Sequence, residues 1–404
     1  MSKSKDILIV NYGFPPNPGV GGRRWAFFAK HLAKKGYKVH VLCNEYKGDL
    51  ESVYVDIITD NNIQLHWLPN FYPSIVNTHP HTILDKIKYR FWDFILTNYS
   101  KGSPYDKTLF LKSRIKKTGL QLIELYNIQN VIVTGAPFRL LYYFAEIKPN
   151  ISNLIIDFRD PWSWGDLYGF KDLNIKKKTF EKKMESFAIE KADVVLTPVG
   201  KMHSELEDLY PVWSSKIKLL AHGFDKENIV PREKNTKNKK KSLNLIYIGT
   251  IYDGVNNYFE EIARATKANN VDIKIAFFGS NKNNLSISNS SFTFHPPLKP
   301  KDLFIQIQKY DFCLMMYPDR IKDYISTKFY EVIYSKTPIL GIGNDGKISQ
   351  FIKTKKVGIH IQPSSILETF TSEFPFSTYQ HEPEIDIEKY SFDQLTDQLI
   401  AFLK

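Results

Sequence analysis

An acid, a lysine and a second acid stand together in Asp323-Tyr-Ile-Ser-Thr-Lys-Phe-Tyr-Glu331, with seven residues between the two carboxylates. Lys328 and Glu331 are three apart, so a helix through them puts both on one face. Ser326 or Thr327 can cap that helix, whose first-turn N–H groups and dipole favour an anion. The set suits a two-ended ligand: a phosphate at Lys328 and a sugar hydroxyl at Glu331. A plainer reading is an exposed capped helix with an ordinary Lys–Glu pair. The following Thr337-Pro-Ile-Leu-Gly-Ile-Gly343 reads as a buried strand fed by that helix.

Polar, glycine-rich segments follow the other apolar runs as well. Gly21-Gly22, ahead of the helical pattern Arg23–Lys35, lets backbone N–H groups approach a bulky or anionic ligand. The stretch is no dinucleotide fingerprint: Gly19-Val-Gly21-Gly-Arg-Arg24 meets alanine only at Ala26, and no acid closes the second strand. Without a Gly-Lys-Ser/Thr it is no Walker loop either. Further along come Thr134-Gly-Ala-Pro-Phe138, Asp157-Phe-Arg-Asp-Pro-Trp162, His222-Gly-Phe-Asp225, Gly249-Thr250, Gly279-Ser280 and Tyr317-Pro-Asp-Arg320. Any single one is ordinary turn chemistry. Together, and carrying charge, they point to a cleft beyond the carboxyl ends of parallel strands.

The elements that must position these residues are short apolar runs alternating with amphipathic stretches. The runs are Ile7–Val10, Val39–Cys43, Val131–Thr134, Leu154–Phe158, Val194–Thr197 and Ile217–Ala221, then Leu243–Ile248, Ile273–Phe278, Phe312–Met316 and Pro338–Ile342. Between them lie helical patterns such as Arg23–Lys35 and Lys176–Lys191. This alternation predicts an α/β fold of two Rossmann-like domains facing across a cleft. At 404 residues two cores are expected. The reading places an N-terminal domain at 1–225, a basic linker at 226–242 and a C-terminal domain at 243–385. Residues 386–404 are expected to form a helix that crosses back to the first domain.

Charge and cysteine content narrow the partners. A net charge of +12 invites a polyanion. Residues 84–117 carry nine Lys/Arg against three Asp, interleaved with aromatics such as Tyr89, Phe91, Trp92 and Phe94. This segment is expected to meet an anionic membrane face or a lipid-linked ligand; the alternative is a helix pair capping the N-terminal domain. Residues 226–241, with seven Lys/Arg against two Glu, read as a solvated linker. No nucleic-acid-binding signature is present, so nucleic acid is not an expected partner. Cys43 and Cys313 alone make neither a disulfide framework nor a zinc cluster. No apolar run approaches the ~18–20 residues of a membrane span. Ile7–Val10 is too short for a signal-peptide core. A cytoplasmic protein, working at the inner face of the membrane, is the expectation.

These residues resemble glycosyltransferase family 4, with the GT-B fold, over nearly the whole length. The resemblance rests on Phe14-Pro-Pro…Gly21-Gly22, on Asp157-Phe-Arg-Asp-Pro-Trp162 as in a bacterial polysaccharide subgroup, and on His222-Gly-Phe-Asp225. Tyr247-Ile-Gly-Thr250, the Asp323…Glu331 element and Ile387-Glu-Lys-Tyr-Ser-Phe392 complete it. It implies a retaining hexosyltransferase that moves a sugar from a UDP- or GDP-linked donor to a hydroxyl of a glycan or lipid-linked acceptor. Surface polysaccharide, lipopolysaccharide or capsule synthesis would be its setting, with no metal. By the same resemblance Glu331 binds the donor ribose and Asp323 lies near the transferred sugar.

Two departures matter. The first acid is Asp323 where glutamate is usual, one methylene shorter. Many relatives place an Arg and a Lys after the first strand of the C-terminal domain, where this chain has Gly249-Thr-Ile-Tyr-Asp-Gly254. Lys328, Arg320 and the helix start at Ser326 and Thr327 are the substitutes expected to hold the diphosphate, with Gly249, Thr250, Gly21 and Gly22 lining the donor. Asp160 is expected to serve near the acceptor beside Arg159, Arg23 and Phe138. Alternatively Asp157, Arg159 and Asp160 form a structural ion-pair cluster. The chemistry to be assisted is loss of the anomeric C–O bond, which charges the leaving phosphate; fixed donors there lower the barrier most when water is excluded. A nucleotide-sugar epimerase of the same fold, or a non-catalytic nucleotide-sugar-binding relative, are the alternatives.

Overall fold

The computed structural model describes residues 5–18, 21–46, 52–77, 80–166, 168–229, 242–249, 251, 254–279, 285, 290–371, 379 and 381–404. Thr250 and residues 230–241 of the expected linker lie outside them. The chain divides into two compact units, Met1–Ala221 with Leu395–Lys404, and His222–Gln394.

The first unit holds seven strands: β1 (Asp6–Val10), β2 (Lys38–Asn44), β3 (Ile63–Leu68), β4 (Asn130–Gly135), β5 (Asn153–Phe158), β6 (Val194–Thr197) and β7 (Ile217–Leu219). Their order is β3-β2-β1-β4-β5-β6-β7, and every pairing is parallel. β4 and β5 are buried at every position, as strands covered on both faces must be. Helix α1 (Arg23–Lys34) supplies Phe27, Phe28 and Leu32 to this core, each fully or almost fully buried and worth about 1.5–3 kcal/mol on burial. Then follow α2 (Ile83–Tyr99), α3 (Lys112–Leu125), α4 (Arg139–Glu146), α5 (Ile175–Lys191) and α6 (Gly200–Leu209).

The second unit holds β8 (Leu243–Ile248), β9 (Ile273–Phe278), β10 (Phe292–His295), β11 (Phe312–Met316), β12 (Ile339–Ile342) and β13 (Gly358–Ile361) in the order β10-β9-β8-β11-β12-β13, again all parallel. Its helices are α7 (Asn256–Ala268), α8 (Pro300–Ile307), α9 (Thr327–Tyr334), α10 (Lys347–Thr354) and α11 (Ile366–Thr369), and α12 (Phe392–Ile400) follows them in the chain. The His222-Gly-Phe-Asp225 motif is structural. Phe224 is fully buried and bridges to Ser391, while Asp225 accepts from Glu227 N and Asn228 Nδ2.

The chain's last ten residues lie with the first unit. Lys404 N donates to Asn130 Oδ1 at 2.9 Å, Asn130 Nδ2 donates to Lys404 O at 3.1 Å, and Asn153 Nδ2 donates to Phe402 O at 2.8 Å. Those asparagines open β4 and β5 and are buried.

Candidate functional site

In each sheet the strand order turns back on itself once, between β1 and β4 and between β8 and β11. The crevice beyond the carboxyl ends at such a point is where open parallel sheets hold ligands. Both points carry the polar residues singled out from sequence.

In the first unit a pocket of about 200 Å³ opens there, bordered by Tyr12 and Gly13 after β1, Ala136-Pro137-Phe138 after β4, and Arg159 after β5. Arg159 is the hub. Its Nη1 donates to Gly21 O at 2.5 Å, its Nη2 to the Tyr168 hydroxyl at 3.1 Å and its Nε to Asp160 Oδ2 at 3.1 Å. The Tyr168 hydroxyl donates to the same Asp160 oxygen at 2.6 Å. Burial opposes the Arg159 charge, but Asp160 and the Tyr168 oxygen outweigh it and hold the pKa above its usual value. Asp160 is therefore engaged on one oxygen by two donors, an arrangement that orients Arg159 and Tyr168 at the pocket edge. Tyr12, also at the edge, is almost wholly buried, and its hydroxyl has no hydrogen-bond partner among the described residues. Burial and then the Asp106 charge push its pKa above the ordinary value, so it stays protonated.

The glycines of the first loop have packing reasons. A Cβ on Gly22 would stand 2.4 Å from Gly13 O and 2.7 Å from Phe14 Cα, backbone atoms that cannot step aside. One on Gly21 would stand 2.9 Å from Arg159 Nη1. Gly21, expected to line the donor, borders this pocket with Arg159. Arg23 is not among its lining residues: its guanidinium lies over the rings of Phe27 and Tyr54, 5.7 and 5.5 Å from their centroids.

The Asp157–Trp162 segment points two ways, so its charges do not form one cluster. Asp157 is fully buried and accepts from Trp25 Nε1 at 2.7 Å and Thr134 Oγ1 at 3.2 Å, with Arg24 Nε at 3.7 Å. Arg24 in turn donates to Leu220 O and Ala221 O at 2.6 and 2.7 Å, tying α1 to the chain after β7. Arg159 and Asp160 face the pocket instead. Beyond them Trp162 stacks on Phe138, centroids 5.4 Å apart at 9°. Its Nε1 donates to Glu181 Oε2 at 2.8 Å, and Ser163 donates to Glu185 from N and Oγ at 2.7 and 2.9 Å. Two carboxylates one turn apart on α5 thus hold the loop that presents Asp160.

Burial pushes the Glu185 carboxyl up to about 7, against hydrogen bonds from Tyr210 and Ser163 that lower it. The folded chain therefore holds a proton there that the unfolded chain loses near the ordinary carboxylate value. The associated stability is fully present at low pH and is lost as pH rises from about 4.5 to 7, a change of about 3 kcal/mol. Glu185→Gln keeps the shape without the titration. Its melting temperature should lose this dependence across that window, and a slope equal to wild type would assign the effect to another group.

In the second unit β8 ends at Ile248, and Lys328 Nζ donates to Ile248 O at 2.9 Å. Gly249 follows with φ +89°, and a Cβ there would stand 2.4 Å from Lys328 Nζ, so only glycine serves. Ser326 occupies the N-cap position of α9 with Thr327 as first helical residue, but no side-chain cap bond forms; Phe329 N instead bonds Ser326 O at 3.1 Å. The expected hydroxyl cap is thus absent, and the helix start relies on its own backbone. Glu331, one turn on from Lys328, is buried. Arg320 is exposed on the 3-10 turn Asp319–Ile321 after β11. Asp323 Oδ1 accepts from Lys347 N at 2.8 Å, which anchors it to the first turn of α10. That capping contact had no signal in the spacing of Asp323 and Glu331. Tyr12, Tyr168 and Asp106 were also missed, although Tyr12 sits in the same post-strand loop as the glycines.

With this geometry in hand, the chain superposes on solved enzymes over almost its full length. Sucrose-phosphate synthase from Thermosynechococcus elongatus matches with TM-score 0.62 at 9% identity, covering 98% of this chain and 97% of that one. A glycosyltransferase from Rickettsia africae matches with TM-score 0.61 at 13% identity, covering 99% and 97%. The fold is GT-B. A putative UDP-N-acetylglucosamine 2-epimerase from Listeria monocytogenes shares it, with TM-score 0.56 at 11% identity and coverage of 98% and 95%. No protein-family model and no curated protein sequence matches the chain. The GT-B likeness therefore speaks for architecture, and the side chains must speak for chemistry.

Proposed function

We propose that this GT-B protein is a retaining glycosyltransferase of the family 4 type, taking its sugar from a UDP- or GDP-linked donor. The observation that carries the reading is Lys328 on the carbonyl of Ile248, beside a glycine that admits nothing larger, with Glu331 buried one turn further along α9. In this reading Glu331 accepts from vicinal ribose hydroxyls, while Lys328, exposed Arg320 and the α9 start meet the diphosphate. Asp323 reaches the sugar from the start of α10. No metal is assigned. The acceptor, a glycan or lipid-linked hydroxyl of surface-polysaccharide, lipopolysaccharide or capsule synthesis, meets the pocket of Tyr12, Phe138 and Arg159 in the first unit, at the inner face of the cytoplasmic membrane.

Glu331→Gln tests the donor site. It keeps the shape and one acceptor, but weakens a charged hydrogen-bond pair worth roughly 1.5–3 kcal/mol. Affinity for UDP or GDP in calorimetry should fall about tenfold or more with the melting curve unchanged. Wild-type binding by the folded variant would place the ribose elsewhere.

The second reading is an epimerase, favoured by the Listeria structure of the same fold. Incubating the protein with each nucleotide sugar in the absence of acceptor separates the two. Conversion to a second intact nucleotide sugar supports the epimerase, and release of nucleoside diphosphate only when a glycan acceptor is added supports the transferase.

A further inference from the structure

α2 is a helix turned inside out. α1 buries nine of its 12 residues, whereas α2 buries only Leu96 of its 17. It is fixed by local signals instead: a capping box in which Thr82 Oγ1 accepts from Asp85 N and Asp85 Oδ2 accepts from Thr82 N, each at 3.1 Å. At its far end Lys177 Nζ donates to Thr97 O. The side turned to the protein is its more polar one: Asp85, Tyr89, Trp92 and Asp93 are half-buried, and Leu96 packs with Tyr72 and Leu109. The side turned outward is apolar. Ile83, Leu84, Ile87, Phe91 and Phe94 are between 57% and 77% exposed.

At about 100° per residue these five side chains share one stripe about 100° wide, which exposed Asn98 joins only in the last turn. Exposed Lys86 and Arg90 border it on one side and exposed Lys88 on the other. Exposed Tyr99, its ring 5.2 Å from that of Phe110, adds an aromatic end. An apolar stripe between cations matches the depth profile of a bilayer surface: the stripe enters the acyl boundary by about 5–10 Å while flanking ammonium and guanidinium groups stay at the phosphates. A protein partner needs no such bordering charge. Two of the four cations of α3 play a different part, since Lys112 and Lys116 both pair with Glu146 of α4.

We propose that the outer face of α2 docks the protein on an anionic lipid bilayer. The inference rests on the membrane setting of the proposed function and names the surface that meets it; it is tested by binding alone, so the transfer chemistry stands or falls separately. The full chain is floated with vesicles of phosphatidylcholine containing about one-third phosphatidylglycerol, and with phosphatidylcholine alone. Wild type should float with the anionic vesicles only. Ile87→Ser/Phe91→Ser/Phe94→Ser should weaken that binding at least tenfold, and Lys86→Gln, Lys88→Gln and Arg90→Gln roughly fivefold each. Cys43 and Cys313 are buried, so an environment-sensitive dye on Ile87→Cys reports from the stripe itself. Its emission should shift to the blue with anionic vesicles. Flotation of the triple serine variant at wild-type level, or a dye that stays in water while the protein floats, overturns the proposal. So does a wild-type dimer that ignores vesicles and is dissociated by the serine substitutions, which would make the stripe a self-association surface.

Discussion

Lys328→Ala is expected to lower turnover by about 10²–10³-fold while leaving the fold intact. The loss of one fixed donor aimed at developing charge typically costs on the order of 3 kcal/mol of barrier. The diphosphate gains charge as the glycosidic bond breaks, so the ammonium matters more in the transition state than in the bound donor. The effect should therefore fall on kcat more than on KM. The lysine sits at the strand end, where its Nζ donates to Ile248 O, and its removal leaves that carbonyl to water. Steady-state transfer kinetics beside a melting curve measure this. Unchanged turnover in a folded Lys328→Ala protein would move the diphosphate grip to Arg320 or elsewhere.

Glu181→Ala is expected to have the largest effect on stability. Its side chain is buried and accepts from Ser103 N at 2.6 Å, Trp162 Nε1 at 2.8 Å and Arg139 Nη2 at 3.3 Å. Burial raises its pKa, with Arg139 opposing that rise. Removing the carboxylate leaves the buried Arg139 charge without that partner and two N–H donors unmet, a type of loss that costs about 3–5 kcal/mol. The first thermal transition should fall by on the order of 10 °C. Glu181→Gln retains an acceptor and should fall by less. Because Trp162 packs on Phe138, acceptor-side binding should weaken with stability. A loss of less than about 1 kcal/mol would show that the network relaxes around the hole, as exposed pairs do.

The central strands were legible because burial on both faces writes a dense apolar run, interrupted in β5 by Asp157 alone. Leu154–Phe158 and Val194–Thr197 needed no further signal. The strands passed over, β3, β10 and β13, all lie at sheet edges. There one flank is solvated, and Ile63-Gln-Leu-His-Trp-Leu68 or Phe292-Thr-Phe-His295 interrupts the run with polar residues. The alternation is a strand signal of its own.

The candidate site was legible where its residues share a segment, as with Lys328 and Glu331 on one short helix. It was illegible where partners come from far along the chain. The helical pattern Lys176–Lys191 carries no mark of buried acids, yet Glu181 and Glu185 are buried and Trp162 and Ser163 reach them from a loop on another strand. No spacing rule connects those positions. Asp323 is the reverse case, a residue whose spacing spoke for one helix and whose carboxylate caps another.

The asparagines at the foot of β4 and β5 bear on how the protein is made. Asn130 and Asn153 bond to Phe402 and Lys404, residues that leave the ribosome after every residue of the second unit. The nascent chain completes residues 1–221 early, yet those two amides have only water and each other to bond until the last segment emerges. Synthesis order and folding order are therefore inverted at this edge: the half encoded first is sealed last. A ribosome stalled anywhere in the second half would hold a first half in which those two asparagines still lack Phe402 and Lys404.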